Sequence, residues 1–546
     1  MQPSKQQQFD EIWARICKPP VQQQQQHVAV PISSGFSAAD CDRLLECGIA
    51  ELVTPEMERR APTRAYCETF TVVEAEKERR RLINWPVVIN DSIRDSLNKS
   101  PVVPAMEHIA NYLGLFECAG ANTKTVGATF DGKLAFWQVP LPDSARAFQR
   151  CRDASGRLVQ ITRLTMGHVD SVALTQLICA SIAGHHDVVQ RQFRTAAPVC
   201  DIWVDGFRYA GTPQQVQRAI DDMRRVATAV RFTLKDAIAK PHAAPYDFIG
   251  VSWDHEQRTV RVADKVRRRI IDQVVGPTMR AGDIEAFVGR LIFASGVTQN
   301  ALVEHYYAVQ FARRVCNKLN ASDDSAIRVD THVTVPIDVR AAFDKWRSEV
   351  LATVKPSVRR VQSDKVGTLF VDATLTGYGA VFVSPTNELL IIGNRFGPQH
   401  ALPSGDSPII AAREAQTVGI ALGALERHVR KCDALRLFID NTVAESNIKR
   451  GCARTEDIAA AVNSVLSKSK AWQLPIQVFR VSTKLNPADE PSRGVAVDLD
   501  KLATAFLAGL PGAATSSATG CNGTERLGAG RKVMILSPLV ENKKER

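Results

Sequence analysis

The chain has 546 residues, 45% of them hydrophobic and 23% charged, which is enough for about three or four domains with sizeable cores. No apolar run is long enough to cross a membrane, the N-terminus has no secretory signal pattern, and the 12 cysteines form no Cys-x-x-Cys pair, which argues against a zinc ribbon or a disulfide scaffold. These features predict an intracellular protein of the nucleus or cytoplasm with no membrane partner, and a dispersed net charge of +11 favours nucleic acid as the partner.

Composition and periodicity divide the chain into five predicted segments. Residues 1–37 are glutamine-rich and expected to be flexible, residues 38–265 mix short strands and helices, and residues 266–360 carry apolar residues at helical spacing. A second mixed segment covers 361–495, and 496–546 form a flexible basic tail rich in Gly, Ser, Thr and Ala. The predicted fold class is therefore α+β with several domains.

The first mixed segment places two aspartates at strand ends. The stretch "VGATFDGKLAFWQVPL" is a strand that ends at Asp131 and continues into an aromatic turn, and "APVCDIWVDGFRYAG" is a hairpin with Asp205 at its tip. The pair Asp205-Gly206 is typical of a hairpin turn because both residues tolerate positive φ. Alternatively, two carboxylates on neighbouring strand ends can share two Mg²⁺ ions and support phosphoryl transfer.

A third stretch lies between these two in the sequence, and the order of the three segments is characteristic. "RLTMGHVDSVALTQLICASI" runs from Met166-Gly167 into an apolar helix. A strand with Asp, then Met-Gly and a helix, then an Asp hairpin resembles motifs A, B and C of reverse transcriptases in retrotransposons. The residues that match the family's second motif are Leu164, Gly167, Ser171 and Gln176, while Thr165 and Val172 replace its prolines.

The resemblance implies a role for each matching position. Asp131 and Asp205 would hold two Mg²⁺ ions, or Mn²⁺. Phe136 stands where the family has the aromatic residue that blocks a ribose 2′-hydroxyl; the alternative is an ordinary core phenylalanine. Met166 and Gly167 would lie under the incoming nucleotide.

Three flanking stretches fit the same family. "CETFTVVEAEKERRRLINWPVVIN" resembles the fingers hairpin, in which Lys77 and Arg80 would contact the triphosphate; a solvated charged turn is the alternative. "RAIDDMRRVATAVRFTLKDA" resembles motif D, with Lys235 or Lys240 near the pyrophosphate leaving group. Residues 246–262 resemble the hairpin that grips the primer.

Motif C departs from the family pattern. The family usually has Tyr-x-Asp-Asp, whereas this chain has Trp203-Val204-Asp205-Gly206. The first acid is kept and the second is Gly. This predicts a weaker metal site and opens the alternative of an impaired polymerase.

The second mixed segment carries four acids on successive predicted elements. The order is three strands, a helix, a strand, a helix and a last strand before a short helix. The four acids are Asp372, Glu414, Asp440 and Asp489. Each alone could be a helix cap or a surface charge.

Taken together, the four acids in this order resemble the ribonuclease H fold. Gly377-Tyr378-Gly379-Ala380 and "NPADEPSRG" are similar to retroelement sequences. The resemblance implies that the acids hold two Mg²⁺ ions that activate water to cut RNA in an RNA–DNA hybrid. Many ribonucleases H have a His shortly before the last Asp, and "VSTKLNP" has none, which predicts slower product release. The run His185-His186-Asp187 is interpreted as a solvated helix end rather than a metal site.

The resemblance covers about residues 40–495, with palm and fingers, a helical thumb or connection, and a ribonuclease H-like domain. It implies an RNA-directed DNA polymerase and ribonuclease H whose partners are an RNA template, a DNA primer, an RNA–DNA hybrid and dNTPs. Among retroelements, the sequence motifs are most similar to those of DIRS-like and trypanosomatid VIPER elements. Protease, integrase and recombinase motifs are missing, so other element-encoded proteins are expected to supply those steps. The alternative is a decayed or domesticated protein that binds hybrids without polymerising.

Overall fold

The computed structural model describes residues 1–20, 29–74, 79–97, 124–189, 198–235, 240–298, 300–320, 329–352, 355–356, 365–403, 410–498, 500–502, 504 and 533–535. The chain forms two units, one of residues 1–263 with 355–358 and one of residues 264–354 with 359–546. Both units combine helices with sheets, so the predicted α+β multidomain class is confirmed. Among the described residues, no helix is both long and apolar enough to cross a membrane.

The first unit contains seven α-helices and four antiparallel sheets within its described residues. The helices are α1 (Pro3–Cys17), α2 (Ala38–Glu46), α3 (Pro55–Arg60), α4 (Val87–Leu97), α5 (Asp143–Arg146), α6 (Ser171–Ala183) and α7 (Pro213–Ala229). The strands are β1 (Ala50–Leu52), β2 (Glu68–Glu74), β3 (Arg79–Trp85), β4 (Val126–Asp131), β5 (Arg150–Arg152), β6 (Leu158–Ile161), β7 (Val199–Trp203), β8 (Gly206–Gly211), β9 (Lys240–Ala243), β10 (Pro245–Phe248), β11 (Val251–Asp254), β12 (Thr259–Val262) and, late in the chain, β15 (Lys355–Pro356). The sheet orders are β1-β6-β5, β2-β3, β7-β8-β4-β9 and β10-β11-β12-β15.

The β7-β8-β4-β9 sheet, called the β4 sheet below, is covered by helices α6 and α7. Helix α7 begins with a capping box between Thr212 and Gln215 and has Pro213 at its first turn, where the missing N–H costs nothing. Its buried residues repeat at helical spacing, so one face packs on the sheet and the other meets solvent. They are Val216, Ile220, Met223 and Ala227.

A buried arginine joins the β4 sheet to the β10–β11 hairpin. The guanidinium of Arg208 donates to Asp201 at 2.5 Å and to the Tyr246 hydroxyl at 2.9 Å, and it lies 3.8 Å from the centre of the Trp253 ring. At Gly127 an added Cβ would lie 2.0 Å from the Tyr246 ring, so only glycine lets the ring lie on β4. The hydrogen bond to Tyr246, the contact with the Trp253 ring and the close approach at Gly127 together fix the hairpin on the sheet, while Asp201 neutralises the arginine from within the sheet.

Helix α1 differs from the flexible N-terminus that the glutamine content predicted for residues 1–37. Ile12 and Ile16 are buried in the core beside α6, and Arg15 forms a two-bond ion pair with the buried Asp170 at 2.9 Å. Four-residue spacing puts both isoleucines on one face, which is enough to dock the helix. The glutamine run at residues 22–26 lies outside the described residues.

The second unit begins with a helical segment and ends with a six-stranded sheet. Its helices are α8 (Asp264–Ile271), α9 (Ala281–Thr298), α10 (Tyr306–Asn320), α11 (Ile337–Ala352), α12 (Ile410–Ala424), α13 (Glu426–Val429), α14 (Thr442–Arg450), α15 (Glu456–Ala471) and α16 (Asp489–Ser492). Its strands are β13 (Thr278–Arg280), β14 (His332–Thr334), β16 (Val366–Ala373), β17 (Gly377–Val383), β18 (Leu389–Arg395), β19 (Ala434–Ile439), β20 (Ile476–Arg480) and β21 (Val533–Ile535). The short β13–β14 ladder interrupts the helices.

The large sheet combines antiparallel and parallel strands. The order is β20-β19-β16-β17-β18-β21, in which β16, β17 and β18 are antiparallel while β19 and β20 run parallel to β16. Helices α12 and α15 cover one face, and their apolar side chains form the largest core of the unit with those of β16, β17 and β19. Strand β21 pairs with β18, so residues 533–535 of the predicted flexible tail belong to the sheet.

Three glycines let helix α16 lie directly on this sheet. An added Cβ would lie 2.4 Å from the Ser492 carbonyl oxygen at Gly377, 2.4 Å from the Ser492 nitrogen at Gly379, and 2.6 Å from the Pro491 carbonyl oxygen at Gly393. Backbone atoms cannot yield as side chains can, so any larger residue would displace α16. This close packing brings Asp489, the first residue of α16, near Asp372 of β16.

Candidate active sites

The fold brings Asp131 and Asp205 together at one end of the β4 sheet. Asp131 is the last residue of β4 and pairs with Gly206 of β8, and the Gly132 amide donates to the Asp205 carbonyl at 2.7 Å. The Asp131 side chain is 43% exposed. Asp131 and Asp205 are therefore close along the backbone at one end of the sheet, and the Asp131 carboxylate is accessible.

The hairpin tip differs from the expected Asp-Gly turn. Its two turn residues are Val204 and Asp205, the left-handed residue is Val204 with φ 55°, and Gly206 already belongs to β8. A β-branched residue in this conformation is strained, so the surrounding structure must hold it there. Gln176 of α6 does so, because its side chain donates to the Ile202 carbonyl at 2.8 Å and accepts from the Val204 amide at 2.5 Å.

The charges around Asp205 are mixed. Burial raises the pKa of Asp205, the nearby Asp131 raises it further, and Lys235 and Arg81 oppose the rise. The Lys235 amide donates to the Asp131 carbonyl at 2.8 Å, and its Nζ lies 4.0 Å from Asp131 Oδ2. The lysine that motif D predicted near the leaving group thus stands beside the first carboxylate, whereas Lys240 is the first residue of β9.

The predicted triphosphate contacts are only partly described. Lys77 lies outside the described residues. Arg80 donates to Asp40 at 2.8 Å, whereas the adjacent Arg81 is the residue whose charge acts on Asp205. Neighbouring strand residues point to opposite faces, so β3 sends one arginine to each side. Sequence reasoning missed Arg81 because it could not assign the two faces.

The other predicted nucleotide residues serve the packing of this unit. Phe136 is 9% exposed in the core, which agrees with the alternative of a core phenylalanine, and Met166 is half-buried against the same core. An added Cβ at Gly167 would lie 2.3 Å from the Asn84 carbonyl oxygen, so this glycine allows two backbone segments to touch. The nucleotide roles of all three remain predictions.

Gly206 occupies the place of the family's second motif C acid. An added Cβ would lie 3.6 Å from Asp131 Oδ1 and 3.4 Å from both the Phe248 ring and the Trp203 carbonyl oxygen. These are ordinary van der Waals distances, so a Cβ fits at this position beside Asp131. The backbone around Gly206 therefore does not itself require glycine.

The second site lies at the carboxyl ends of the interior strands β16 and β19 of the six-stranded sheet. Asp372 is in β16, Glu414 in α12, and Asp440 directly follows β19; one carboxylate oxygen of each lies within 4.8 Å of the others. Asp372 and Glu414 are buried, with 4% and 3% of their surface exposed. The fold thus gathers three of the four predicted acids into one cluster.

Burial and mutual repulsion dominate the charge state of this cluster. Burial raises the pKa of Glu414 to about 9, and the charges of Asp372 and Asp440 add to the rise. Burial also raises the pKa of Asp372 to about 6, against the opposing hydrogen bond from the Ser492 hydroxyl at 2.5 Å. Glu414 Oε2 is buried without a hydrogen-bond partner. Such an atom needs an explanation, and a bound cation supplies one.

Asp489 stands next to this cluster and is held by an arginine. Arg493 donates to Asp489 Oδ1 from Nε at 3.0 Å and from a terminal nitrogen at 2.9 Å, and the charge of Asp489 acts on Asp372. Asn486 fixes the segment by donating to the Val371 carbonyl at 2.9 Å. The sequence pointed to Asp489 but not to the roles of Ser492, Arg493 and Asn486, which depend on how α16 docks.

Both sites have donor sets that fit divalent cations, to different degrees. Carboxylate oxygens are the ligands that Mg²⁺ prefers. The second site offers converging buried carboxylates and an unpaired oxygen. The first site offers two carboxylates, and in the described residues no third His, Cys, Asp or Glu ligand joins them within 4.8 Å.

Comparisons with known proteins return structural likenesses alone. No protein-family model and no curated protein matches the chain. A foamy viral protease-reverse transcriptase solved with double-stranded DNA, in a form named dRH, matches 88% of this chain and 79% of its own length, with 10% identity and a TM-score of 0.45. The foamy viral protease-reverse transcriptase solved with an RNA/DNA hybrid matches 88% and 61%, with 10% identity and a TM-score of 0.46.

A third likeness is to the foamy viral protease-reverse transcriptase solved with double-stranded DNA. It covers 88% of this chain and 94% of the other, with 11% identity and a TM-score of 0.44. The chain spans less than two thirds of the protein solved with the hybrid. At these identities and TM-scores the likenesses carry no information on activity, and none of them bears on the DIRS-like or VIPER subtype.

Proposed function

We propose that the chain is an RNA-directed DNA polymerase with an attached ribonuclease H, encoded by a retrotransposon. The observation that carries the proposal is the folding of two separate acid constellations in one basic chain. Asp131 lies next to Asp205 at one end of the β4 sheet. Asp372, Glu414 and Asp440 converge where the interior strands β16 and β19 of the six-stranded sheet end.

At the first site, Asp131 and Asp205 would hold two Mg²⁺ ions, or Mn²⁺. When bound, such ions stabilise the attacking and leaving oxygens of a phosphoryl transfer. Two basic residues of the chain, Lys235 and Arg81, have charges that act on Asp205. They would neutralise the phosphates of a dNTP. Gln176 fixes the hairpin that carries Asp205.

At the second site, Asp372, Glu414, Asp440 and Asp489 would hold the ions. Here the chain must release protons before it can bind a cation, because the pKa of Glu414 is about 9 and that of Asp372 about 6. Ser492 orients Asp372, and Arg493 orients Asp489. The substrate class is the RNA strand of an RNA–DNA hybrid.

The polymerase is tested by extending a DNA primer on RNA with dNTPs and Mg²⁺. Asp131→Asn and Asp205→Asn should each lower incorporation by at least about 100-fold, because each removes several kcal/mol of transition-state stabilisation. The control is Asp143→Asn, whose carboxylate is 92% exposed in a surface ion pair. Equal incorporation by wild type and both site variants would refute the polymerase site.

Gly206 favours a second candidate, a decayed or domesticated protein that binds hybrids without polymerising. The position of Gly206 beside Asp131, where the family that the sequence resembles has an acid, accepts a Cβ without a clash. On this hypothesis wild type is inactive and Gly206→Asp creates incorporation. Robust wild-type synthesis excludes it. A working nuclease beside a silent polymerase is recognised by hybrid cleavage that Asp372→Asn abolishes.

A further inference from the structure

The second unit contains another group of metal-ligating side chains, distinct from the catalytic acids. Glu304 and His305 end the 3₁₀ helix Leu302–His305, and Glu349 lies on α11. One ligand atom from each lies within 4.8 Å of the other two. The proposed enzymatic function uses none of these residues.

His305 is held rigidly with an unsatisfied nitrogen. Its side chain is 1% exposed and its ring stacks on Trp346, with centroids 4.8 Å apart and an interplanar angle of 11°. The Trp346 indole is itself fixed by a 2.7 Å hydrogen bond to Ser295. His305 Nε2 makes no hydrogen bond, although Glu349 Oε2 lies 3.3 Å away. An unpaired buried nitrogen is costly unless something binds it.

Two lysines, Lys345 and Lys470, lie beside this group. The two lysines pair with the glutamates, at 3.9 Å for Lys345 with Glu349 and 3.5 Å for Lys470 with Glu304. Their side chains are 68% and 69% exposed, and pairs this exposed contribute little.

We propose that Glu304, His305 and Glu349 bind one zinc ion that fastens the 3₁₀ helix to α11. Zinc takes imidazole and carboxylate ligands at about 2.0–2.2 Å, so the ligand atoms of a tetrahedral site lie roughly 3.3–3.6 Å apart. The distance from His305 Nε2 to Glu349 Oε2 is 3.3 Å. The imidazole favours zinc over Mg²⁺, which prefers oxygen ligands, and water completes the coordination.

The test uses the full chain, freed of metal and kept in excess Mg²⁺ so that the catalytic carboxylates are occupied. Co²⁺ is titrated in as a probe, and the intense visible absorption of a tetrahedral site is recorded. We expect one tightly bound Co²⁺ that Zn²⁺ displaces, and a Zn²⁺-dependent rise in Tm. Glu304→Gln and Glu349→Gln should each weaken binding by at least about 10-fold, the loss that changing even an outer partner of a metal ligand causes.

Two controls keep the test decisive. His186→Gln alters the exposed His185-His186-Asp187 group, the other histidine-containing candidate in the described residues, and should leave the Co²⁺ spectrum unchanged. His305→Gln also removes the stacking on Trp346, so the glutamate variants carry the conclusion. Unchanged affinity in both glutamate variants, loss only in His186→Gln, or no tetrahedral spectrum would overturn the proposal. None of these outcomes bears on the polymerase or the nuclease.

Discussion

The register of one strand decides which arginine faces the first pair of carboxylates. Arg80 and Arg81 are adjacent on β3, opposite Val73 and Val72 of β2. Arg80 is held by Asp40, while the charge of Arg81 acts on Asp205. The sequence singled out this charged stretch, but a one-residue shift in register exchanges the two faces of the strand, and composition cannot fix that shift.

The arginine pair gives the first prediction. Arg81→Gln should raise the KM for dNTP by about 10-fold or more, because a hydrogen bond to a charged group contributes about 1.5–3 kcal/mol. Arg80→Gln is the matched control and should change KM much less. Steady-state incorporation at varied dNTP concentration measures both KM values. A larger rise in KM for Arg80→Gln than for Arg81→Gln would contradict this prediction and support the triphosphate contact predicted for Arg80.

Glu414 gives the second prediction, which concerns pH. Its folded pKa of about 9 and the Asp372 pKa of about 6 both lie above their ordinary values of 4.5 and 3.8. The folded state therefore holds more protons than the unfolded state, and the stability these groups contribute is full below their ordinary values and is lost as pH rises through the folded values.

In EDTA, the Tm of the chain should accordingly fall between about pH 5 and 9 more steeply for wild type than for Glu414→Gln, because the variant no longer has to ionise a buried acid. Mg²⁺ should remove most of the difference by binding the ionised cluster. Thermal unfolding at each pH measures this. Parallel pH profiles for wild type and variant in EDTA would contradict the placement of Glu414.

At the scale of elements, the position of helix α16 on the large sheet depends on three glycines of that sheet. The four acids could be singled out from the sequence because each lies within or directly beside a recognisable element. The docking of α16 could not be predicted, since it depends on backbone approaching Gly377, Gly379 and Gly393. Helix α1 shows the converse: the glutamine content hid the four-residue spacing of its buried isoleucines.

The glycine contacts give the third prediction. Gly379→Ala should push α16 off the sheet, because the new Cβ would lie 2.4 Å from the Ser492 nitrogen and 2.5 Å from the Ala488 carbonyl oxygen. Hybrid cleavage should be lost and the domain destabilised by about 1–3 kcal/mol. Gly423→Ala is the control, since its Cβ meets only the flexible end of Lys468 at 3.8 Å. Equal cleavage by the two variants would show that α16 does not need this contact.

At the scale of the whole molecule, the net charge of +11 is the property that sequence alone establishes best. The succession of strands and helices along the second mixed segment was also predictable, because alternating and helical spacings of apolar residues differ. Contacts between residues far apart in sequence could not be predicted. The Glu304–His305–Glu349 group is an example, because it joins the 3₁₀ helix to α11.

The charge gives the fourth prediction. If the chain neutralises about six phosphates of a hybrid, its affinity should fall by about 10³-fold between roughly 50 and 200 mM salt, through counterion release. Fluorescence anisotropy of a labelled hybrid at increasing salt measures the slope. A salt-independent affinity would contradict binding through the phosphate backbone.

The most direct test of the two-site account is one reaction on a primed RNA template in which extension and RNA cleavage are measured together. We predict that wild type produces both products in Mg²⁺. Asp131→Asn should abolish extension and keep cleavage of a preformed hybrid, and Asp372→Asn should do the opposite. Loss of both activities in either variant, or of neither, would contradict two independent carboxylate sites.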